Sequence, residues 1–161
     1  MMGNINNRLI VASKVGDINK VKELLDNGAD VDVKNDDGWV PLSFAVRSGN
    51  IETVKLLIDR GANKEVKTNY GSTPLLLACY HKYYDMLILL LDVGANINVY
   101  NNDNAMCLNF NNMIWREKYT QELIINKQPQ NIKIFDEKIG ILPSLKEKYR
   151  DIIELIEMGL F

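Results

Sequence analysis

The sequence predicts an all-α fold in which helix-turn-helix repeats stack side by side as a small solenoid. Three observations support this prediction. Gly-Ala-Asp or Gly-Ala-Asn begins at Gly28, Gly61 and Gly94, a constant step of 33 residues. A leucine series and an alanine series repeat in the same register. Each period also carries apolar residues at helical spacing, and a helix pair of this length must stack on its neighbours to bury them.

The first unit covers about residues 5–33. It contains the stretches RLIVASKVGD and INKVKELLDNG, each of which places apolar residues on one helical face. Leu9 and Ala12 start the two series that continue, one period later, with Leu42 and Ala45. The unit is therefore predicted to be a pair of short helices that ends at the glycine of Gly-Ala-Asp.

The second unit, about residues 34–66, marks its helix boundaries most clearly. Pro41 stands where a first-turn proline loses no hydrogen bond, so a first helix is expected over about residues 41–48. Gly49 breaks this helix, and Asn50 can cap the next one, whose sequence IETVKLLIDRG has a helical apolar face. The glycine at its end can take a left-handed conformation and stop the helix.

The third unit, about residues 67–99, repeats this arrangement with PLLLACYHKYY and DMLILLLDVG. A fourth unit, about residues 100–127, begins in register but is degenerate, because Asn104 stands at the loop glycine and Cys107 at the proline. Residues 128–161 contain a last, divergent helical segment, which we interpret as a cap. Terminal repeats are expected to be atypical since their outer face meets water.

Composition limits the classes of function. A chain of 161 residues with 47% hydrophobic content fits a single domain, predicted to span residues 1–161. Its 19 basic and 21 acidic residues nearly balance, so neither nucleic acid nor a membrane surface is an expected partner. The longest apolar run, residues 86–91, is much shorter than a spanning helix, and the N-terminus lacks a secretory signal pattern. A soluble cytoplasmic protein is expected, with delivery into a host cell as an effector as the alternative.

No set of residues in the sequence indicates catalysis, cofactor binding or a metal site. The single histidine, His81, has no placed base or acid beside it, and the acidic pair Asp36-Asp37 lacks the spacing of a calcium-binding loop. Cys79 and Cys107 have no Cys or His at metal-ligand spacing, so both are expected to be reduced, mostly buried thiols. The protein is predicted not to be an enzyme and to use no cofactor or metal.

Two stretches, GWVPLSFAVRSGNIETVKLLIDRGAN and GSTPLLLACYHKYYDMLILLLDVGAN, resemble ankyrin repeats. The pattern of that family is a glycine, Thr-Pro-Leu-His, an alanine, a helix break, a Val/Leu/Leu helix and Gly-Ala-Asp or Gly-Ala-Asn. The resemblance covers about residues 5–108. It implies an ankyrin-type α-solenoid, in which pairs of antiparallel helices alternate with short β-hairpin loops that project at right angles.

The chain departs from the family pattern at positions that link the loops to the helices. Ser43 and Leu76 replace the histidine after Pro-Leu, and Val40 replaces the threonine of the second unit. In the family these side chains hydrogen-bond the loop to the helices and to neighbouring repeats. A thinner network and a lower stability than in a consensus array are therefore expected, with the stacked apolar faces contributing most of the stability.

The resemblance also implies where a partner would bind, since loop tips and the exposed side of the first helices line a groove in ankyrin-type units. Trp39, Tyr70 and Tyr80 are aromatic groups on this surface that folding does not require, and such residues are enriched among interface hot spots. The alternative is that Trp39 folds back onto the loop stem and Tyr80 packs between helices. The predicted protein-binding residues are Lys34, Asp36, Asp37, Trp39, Arg47, Ser48, Lys67, Asn69, Tyr70, Ser72, Tyr80, His81, Tyr100, Asn102 and Asp103.

The main functional hypothesis is a monomeric, non-enzymatic adaptor or scaffold that binds an unidentified protein partner through this face. An alternative is self-association through the degenerate stretch 101–127, which is rich in large apolar residues such as Met106 and Trp115. Another alternative is a C-terminal docking element. There, Leu142-Pro143 followed by an amphipathic helix resembles the F-box-like segments of some viral and intracellular-bacterial ankyrin proteins.

Overall fold

The computed structural model describes residues 4–96 and 101–102, together with residues 137, 147, 150, 154 and 158. Within this part of the chain the regular elements are α-helices, and no residue is in a β-strand. The helices are α1 Ile5–Val15, α2 Ile18–Asp26, α3 Pro41–Arg47, α4 Ile51–Asp59, α5 Pro74–Tyr80 and α6 Tyr84–Asp92. They form three consecutive pairs, one in each of the first three predicted units, which confirms the predicted fold class.

The chain divides into two compact units, Met1–Cys107 and Leu108–Phe161, and the six described helices belong to the first. The degenerate fourth repeat and the C-terminal cap lie almost wholly outside the described residues. The single domain predicted over residues 1–161 therefore stays a prediction. The same holds for self-association and for the docking element, because both hypotheses depend on those segments.

The first helices of the second and third units begin at the predicted prolines. Pro41 and Pro74 are the first residues of α3 and α5, where the missing N–H leaves no helical hydrogen bond unmade. The Thr73 hydroxyl accepts a hydrogen bond from the Leu76 N–H and caps α5. Val40, at the equivalent position before α3, offers no such group. The second unit thus lacks this part of the family's hydrogen-bond network, as expected.

The break between the two helices of each unit contains a residue in the left-handed conformation. Gly16, Gly49 and Lys82 occupy this position one period apart, with Lys82 at a φ of 59°. Asn50 stands at the N-cap of α4 as predicted, but its side chain makes no capping hydrogen bond. It lies instead against Gly16 of the preceding unit, where a Cβ atom would collide with it. Gly61 follows α4 with a φ of 85° and ends that helix as predicted.

The core repeats with the period of the sequence. Leu9, Leu42 and Leu75 are at most 1% exposed, and the equivalent alanines beside them let the first helices approach closely. The second helices contribute buried apolar side chains at two repeated positions, Val21, Val54 and Leu87 and then Leu24, Leu57 and Leu90. Because the same positions are buried in all three units, the units share one continuous core.

The six helices are arranged in two layers. In the first layer, α1 packs on α3 and α3 packs on α5; in the second layer, α2 packs on α4. Each unit also packs its own two helices together. Since every loop leads directly into a first helix, loop residues and first-helix residues are neighbours on one side of the stack.

The loops are closed by turn hydrogen bonds. The Asn35 N–H donates to the Trp39 carbonyl at 3.0 Å, and the Thr68 N–H, one period later, donates to the Ser72 carbonyl at 3.1 Å. The Asn35 side-chain oxygen also accepts from the Trp39 N–H at 2.8 Å. In the described residues the hairpin character predicted for the loops therefore consists of turns rather than strands.

A ladder of hydrogen bonds joins successive loop tips. The Asn69 side-chain amide donates to the Asp36 carbonyl at 3.0 Å, and its backbone N–H donates to the Asp37 carbonyl at the same distance. Asn102, one period later, repeats both bonds with the carbonyls of Asn69, at 2.8 Å, and Tyr70, at 3.1 Å. Each loop is thus tied to the loop before it.

A second ladder runs near the ends of the second helices. The Asp32 carboxylate accepts from the Asn63 N–H at 3.0 Å, and the Glu65 carboxylate accepts from the Asn96 N–H at 2.9 Å. Ser43, at the position of the family histidine, has a buried hydroxyl without a hydrogen-bond partner. The contacts expected from the histidine are therefore missing there, while carboxylates and asparagines link the units instead.

Candidate functional site

A cavity of about 550 Å³ opens between the second and third units, on the side formed by loops and first helices. Its size is typical of a binding pocket rather than of a packing defect. Six of the residues predicted from the sequence line it, namely Trp39, Arg47, Tyr70, Ser72, Tyr80 and His81. We call this cavity, defined by these six residues together with Leu76 and Leu77, the groove pocket. The structure brings together predicted residues from two different units.

Trp39 lies against the helix that follows its own loop. Its ring centroid is 5.2 Å from that of Phe44 in α3, and the side chain is half-buried. The Arg47 guanidinium lies 5.1 Å from the centroid of the Trp39 ring, a distance at which a cation is attracted to the ring's π-face. The alternative placed the Trp39 ring on the loop stem, whereas these contacts are with α3 of its own unit, and the ring also lines the pocket.

The two tyrosines of the third unit are open to solvent. Tyr70 on the loop is 65% exposed, and Tyr80 at the end of α5 is 83% exposed. The alternative that Tyr80 packs between helices is therefore wrong. Large aromatic side chains that remain this exposed contribute little to the core, so they are available for contact with another molecule.

His81 belongs to a small aromatic cluster at the end of α5. Its ring stacks on Tyr83, with centroids 5.5 Å apart and planes 18° apart, and it meets the Tyr80 ring edge-on at 5.2 Å. The side chain is half-buried. Within this cluster the His81 ring packs against two aromatic rings, which hold the imidazole in place and offer it no carboxylate partner.

The loop-tip charges lie beside the groove pocket. Lys34, Asp36, Asp37 and Lys67 are exposed, and none belongs to the described lining of the cavity. Their predicted role in binding is therefore not tested by the geometry of the pocket.

Three other predicted residues have hydrogen bonds within the fold. Ser48 donates from its hydroxyl to the Lys14 carbonyl at 2.8 Å, which joins the end of α3 to the end of α1. Asn69 and Asn102 use their amide groups in the loop-tip ladder. Tyr100 and Asp103 lie outside the described residues, so their predicted role is not tested.

Sequence reasoning missed two exposed apolar residues on the first helix of the first unit. Val11 and Val15 on α1 are 60% and 68% exposed, and they are one helical turn apart. One period later their equivalents are Phe44, which Trp39 covers, and Ser48, which bonds to the end of α1. The signal was present in the 33-residue register, which places Val11 and Val15 at the first-helix positions of Phe44 and Ser48.

The prediction for Cys79 is wrong. Cys79 is half-buried, lines the cavity and is disulfide-bonded, rather than a reduced thiol. Its partner lies outside the described residues. The absence of metal-ligand spacing did not exclude a disulfide, because cysteines far apart in the sequence of a repeat array can lie on neighbouring units.

Neither a metal centre nor a membrane span stands out in the described part of the chain. No group of three or more His, Cys, Asp or Glu side chains is placed there to hold a metal ion. Among the described helices, none has both the length and the apolar character needed to cross a bilayer.

Comparison with known proteins agrees with the geometry. The family model for ankyrin repeats, in three copies, matches residues 9–101, which is more than half of the chain. No curated protein matches the sequence. Ankyrin repeats are generally protein–protein interaction modules. The matched range contains all of α2 to α6, most of α1, and the groove pocket, and the chain therefore belongs to the ankyrin repeat family.

Proposed function

We propose that the protein is a non-enzymatic adaptor or scaffold that binds a protein partner through its loops and first helices. The observation that carries this proposal is the groove pocket, where three aromatic side chains and an arginine from two units surround an open cavity. Tyrosine, tryptophan and arginine are the residues most enriched at the energetic centres of protein interfaces.

The exposure of Tyr70 and Tyr80 supports the proposal on energetic grounds. A tyrosine that is mostly solvent-exposed gains little from folding, whereas burying it against a partner removes a large apolar area from water. Its hydroxyl can form a hydrogen bond at the same time. These two residues are therefore proposed to contribute most of the binding free energy.

The surroundings of His81 support a non-enzymatic role. A general base or nucleophile pair needs a second polar group within hydrogen-bond reach. The ring contacts of His81 are with Tyr80 and Tyr83, and the described lining of the groove pocket contains no carboxylate side chain. The monomeric state and the cytoplasmic or host-cell location rest on the sequence alone and stay predictions.

Site-specific photocrosslinking tests the proposal. A photoreactive phenylalanine analogue is placed at Tyr70 or Tyr80 of the full chain, which is then irradiated in cell extract, and crosslinked proteins are identified by mass spectrometry. The expected result is the same partner from both positions. The purified partner should then bind the unmodified chain directly.

Matched controls come from the second helix layer. The same analogue at Lys22 of α2 or Lys55 of α4, both exposed, should not crosslink to that partner. Equal crosslinking from both layers, or no reproducible product from Tyr70 and Tyr80, would contradict the assigned face.

A further inference from the structure

The groove pocket has a chemistry that suits one kind of partner segment, an inference that rests on the proposed function. We infer that the pocket binds a segment in which an apolar or aromatic side chain stands next to an aspartate or glutamate. The inference depends on three features: the position of Arg47, the apolar floor of the cavity, and the charges that surround it.

Arg47 supplies the positive charge. It is exposed at the end of α3, and the Trp39 ring beneath its guanidinium limits the directions in which the side chain can point. None of the ion pairs formed among the described residues involves Arg47. Arg47 lines the cavity, so its planar group can offer N–H donors to a ligand bound there, and such a group matches a carboxylate with two parallel hydrogen bonds.

The floor of the cavity is apolar. Leu76 and Leu77 of α5 line it and are each 8% exposed, so they form its buried side, and the half-buried Trp39 ring forms one wall. An apolar or aromatic side chain inserted here would displace water from these groups. The carboxylate of a neighbouring partner residue would then lie near the rim, where Arg47 stands.

Charge decides between partners that would otherwise fit. A basic segment would be repelled by Arg47, and a purely apolar segment would cover the guanidinium without pairing it, which carries a desolvation penalty. Among the described lining residues, Arg47 carries the permanent formal charge. On the loop tips, Lys34 and Lys67 offset Asp36 and Asp37, so these tips add little net charge.

Selection from a random peptide library tests the inference. Displayed peptides of fixed length are selected on the full chain, and the enriched sequences are determined. We expect an aspartate or glutamate beside a large apolar residue. Binding of a selected peptide should fall about tenfold or more in Arg47→Glu, and by a smaller factor in Arg47→Gln, which keeps the side-chain length. An otherwise identical peptide with lysine for the acidic residue should bind Arg47→Glu better than the unchanged chain.

Lys22→Glu is the matched control, because it makes the same charge change on α2 and should leave peptide affinity unchanged. Helical circular dichroism establishes that each variant is folded. Enriched peptides without acidic residues, or a selection that enriches none, would overturn the inference. Peptides that lose affinity in Tyr70→Ala/Tyr80→Ala but not in Arg47→Glu would overturn it and leave the proposed function standing. Peptides insensitive to both variants would contradict the proposed function itself.

Discussion

Individual side chains in this array can be compared with their equivalents one period away. A position where the units differ can therefore be tested by exchanging the residues. Val40 and Thr73 occupy the same position before α3 and α5, yet only Thr73 caps its helix. Gly16, Gly49 and Lys82 share the left-handed turn, and Lys82 is the member with a Cβ atom. In both comparisons one unit carries the residue that the backbone prefers and another does not.

Replacing Val40 by threonine should stabilise the protein. The new hydroxyl can accept from the Ser43 N–H, as Thr73 does from Leu76. N-cap residues contribute about 0.5–2 kcal/mol, and the loss of some buried apolar surface leaves a net gain of roughly 0.5–1 kcal/mol in the free energy of unfolding. Urea denaturation followed by circular dichroism measures it.

The reverse change, Thr73→Val, is the control and should cost a similar amount. If both substitutions shift the urea midpoint in the same direction, capping by the side chain before the helix is not what distinguishes the two units.

Replacing Lys82 by glycine should also raise stability. A left-handed residue with a Cβ atom carries a cost of about 1–2 kcal/mol, part of which is offset because glycine is more flexible in the unfolded chain. A net gain of about 0.5–1 kcal/mol is expected in thermal or urea unfolding. Gly49→Ala, at the equivalent position, should be destabilising. A loss of stability in Lys82→Gly would mean that the lysine side chain contributes contacts that outweigh the strain.

The loops are held by contacts between units as well as by their own turns. Gly38 is an example, because its φ of 75° favours glycine and a Cβ atom there would lie 3.0 Å from the Asn69 backbone nitrogen. Gly61 has a similar φ of 85°, but no atom would lie within 4 Å of its Cβ. The two glycines separate the effect of backbone conformation from that of close approach between loops.

Gly38→Ala should therefore destabilise the protein more than Gly61→Ala does. Gly61→Ala should cost about 1 kcal/mol from the left-handed conformation alone. Gly38→Ala should exceed this by about 1 kcal/mol, because it also displaces the hydrogen bonds of Asn69 to the preceding loop. Urea unfolding measures the cost of each substitution, and amide hydrogen exchange of the two loops shows where in the chain the additional cost of Gly38→Ala arises. Equal costs for the two variants would show that the ladder adds no stability.

Elements were predictable wherever a local signal marks them. Prolines mark the starts of α3 and α5, and a glycine stands two residues after the end of each second helix, so these bounds could be placed within about two residues. Contacts between units had no such signal. That Asn50 lies against Gly16, or that Asn69 binds the preceding loop, depends on how neighbouring units meet.

The candidate site was predictable to the same degree. The family resemblance, applied in the 33-residue register, implied the six predicted residues that line the groove pocket. It did not say that Trp39 would pack on Phe44, that Ser48 would bond to α1, or that Cys79 would be in a disulfide. Those outcomes depend on side-chain packing, which a pattern of residue types does not contain.

The three described units should unfold together, since none of them buries its apolar face alone. Leu57 lies at the centre of this shared core and is fully buried, whereas its neighbour Leu56 is half-buried. Leu57→Ala should cost about 2–5 kcal/mol and Leu56→Ala clearly less. The helical circular dichroism signal of each variant should show a single unfolding transition. If hydrogen exchange showed that helices within residues 4–96 open in two groups with different free energies, the result would contradict a continuous core.

Binding through the loops and first helices can be measured by calorimetric titration with the purified partner that crosslinking identifies. The partner is titrated into the unchanged chain, into Tyr70→Ala/Tyr80→Ala, and into Lys22→Ala/Lys55→Ala as the control from the other helix layer. We expect at least about a tenfold loss of affinity for the tyrosine variant, with its helical content unchanged, and no loss for the control. Unchanged affinity in a folded tyrosine variant would contradict it.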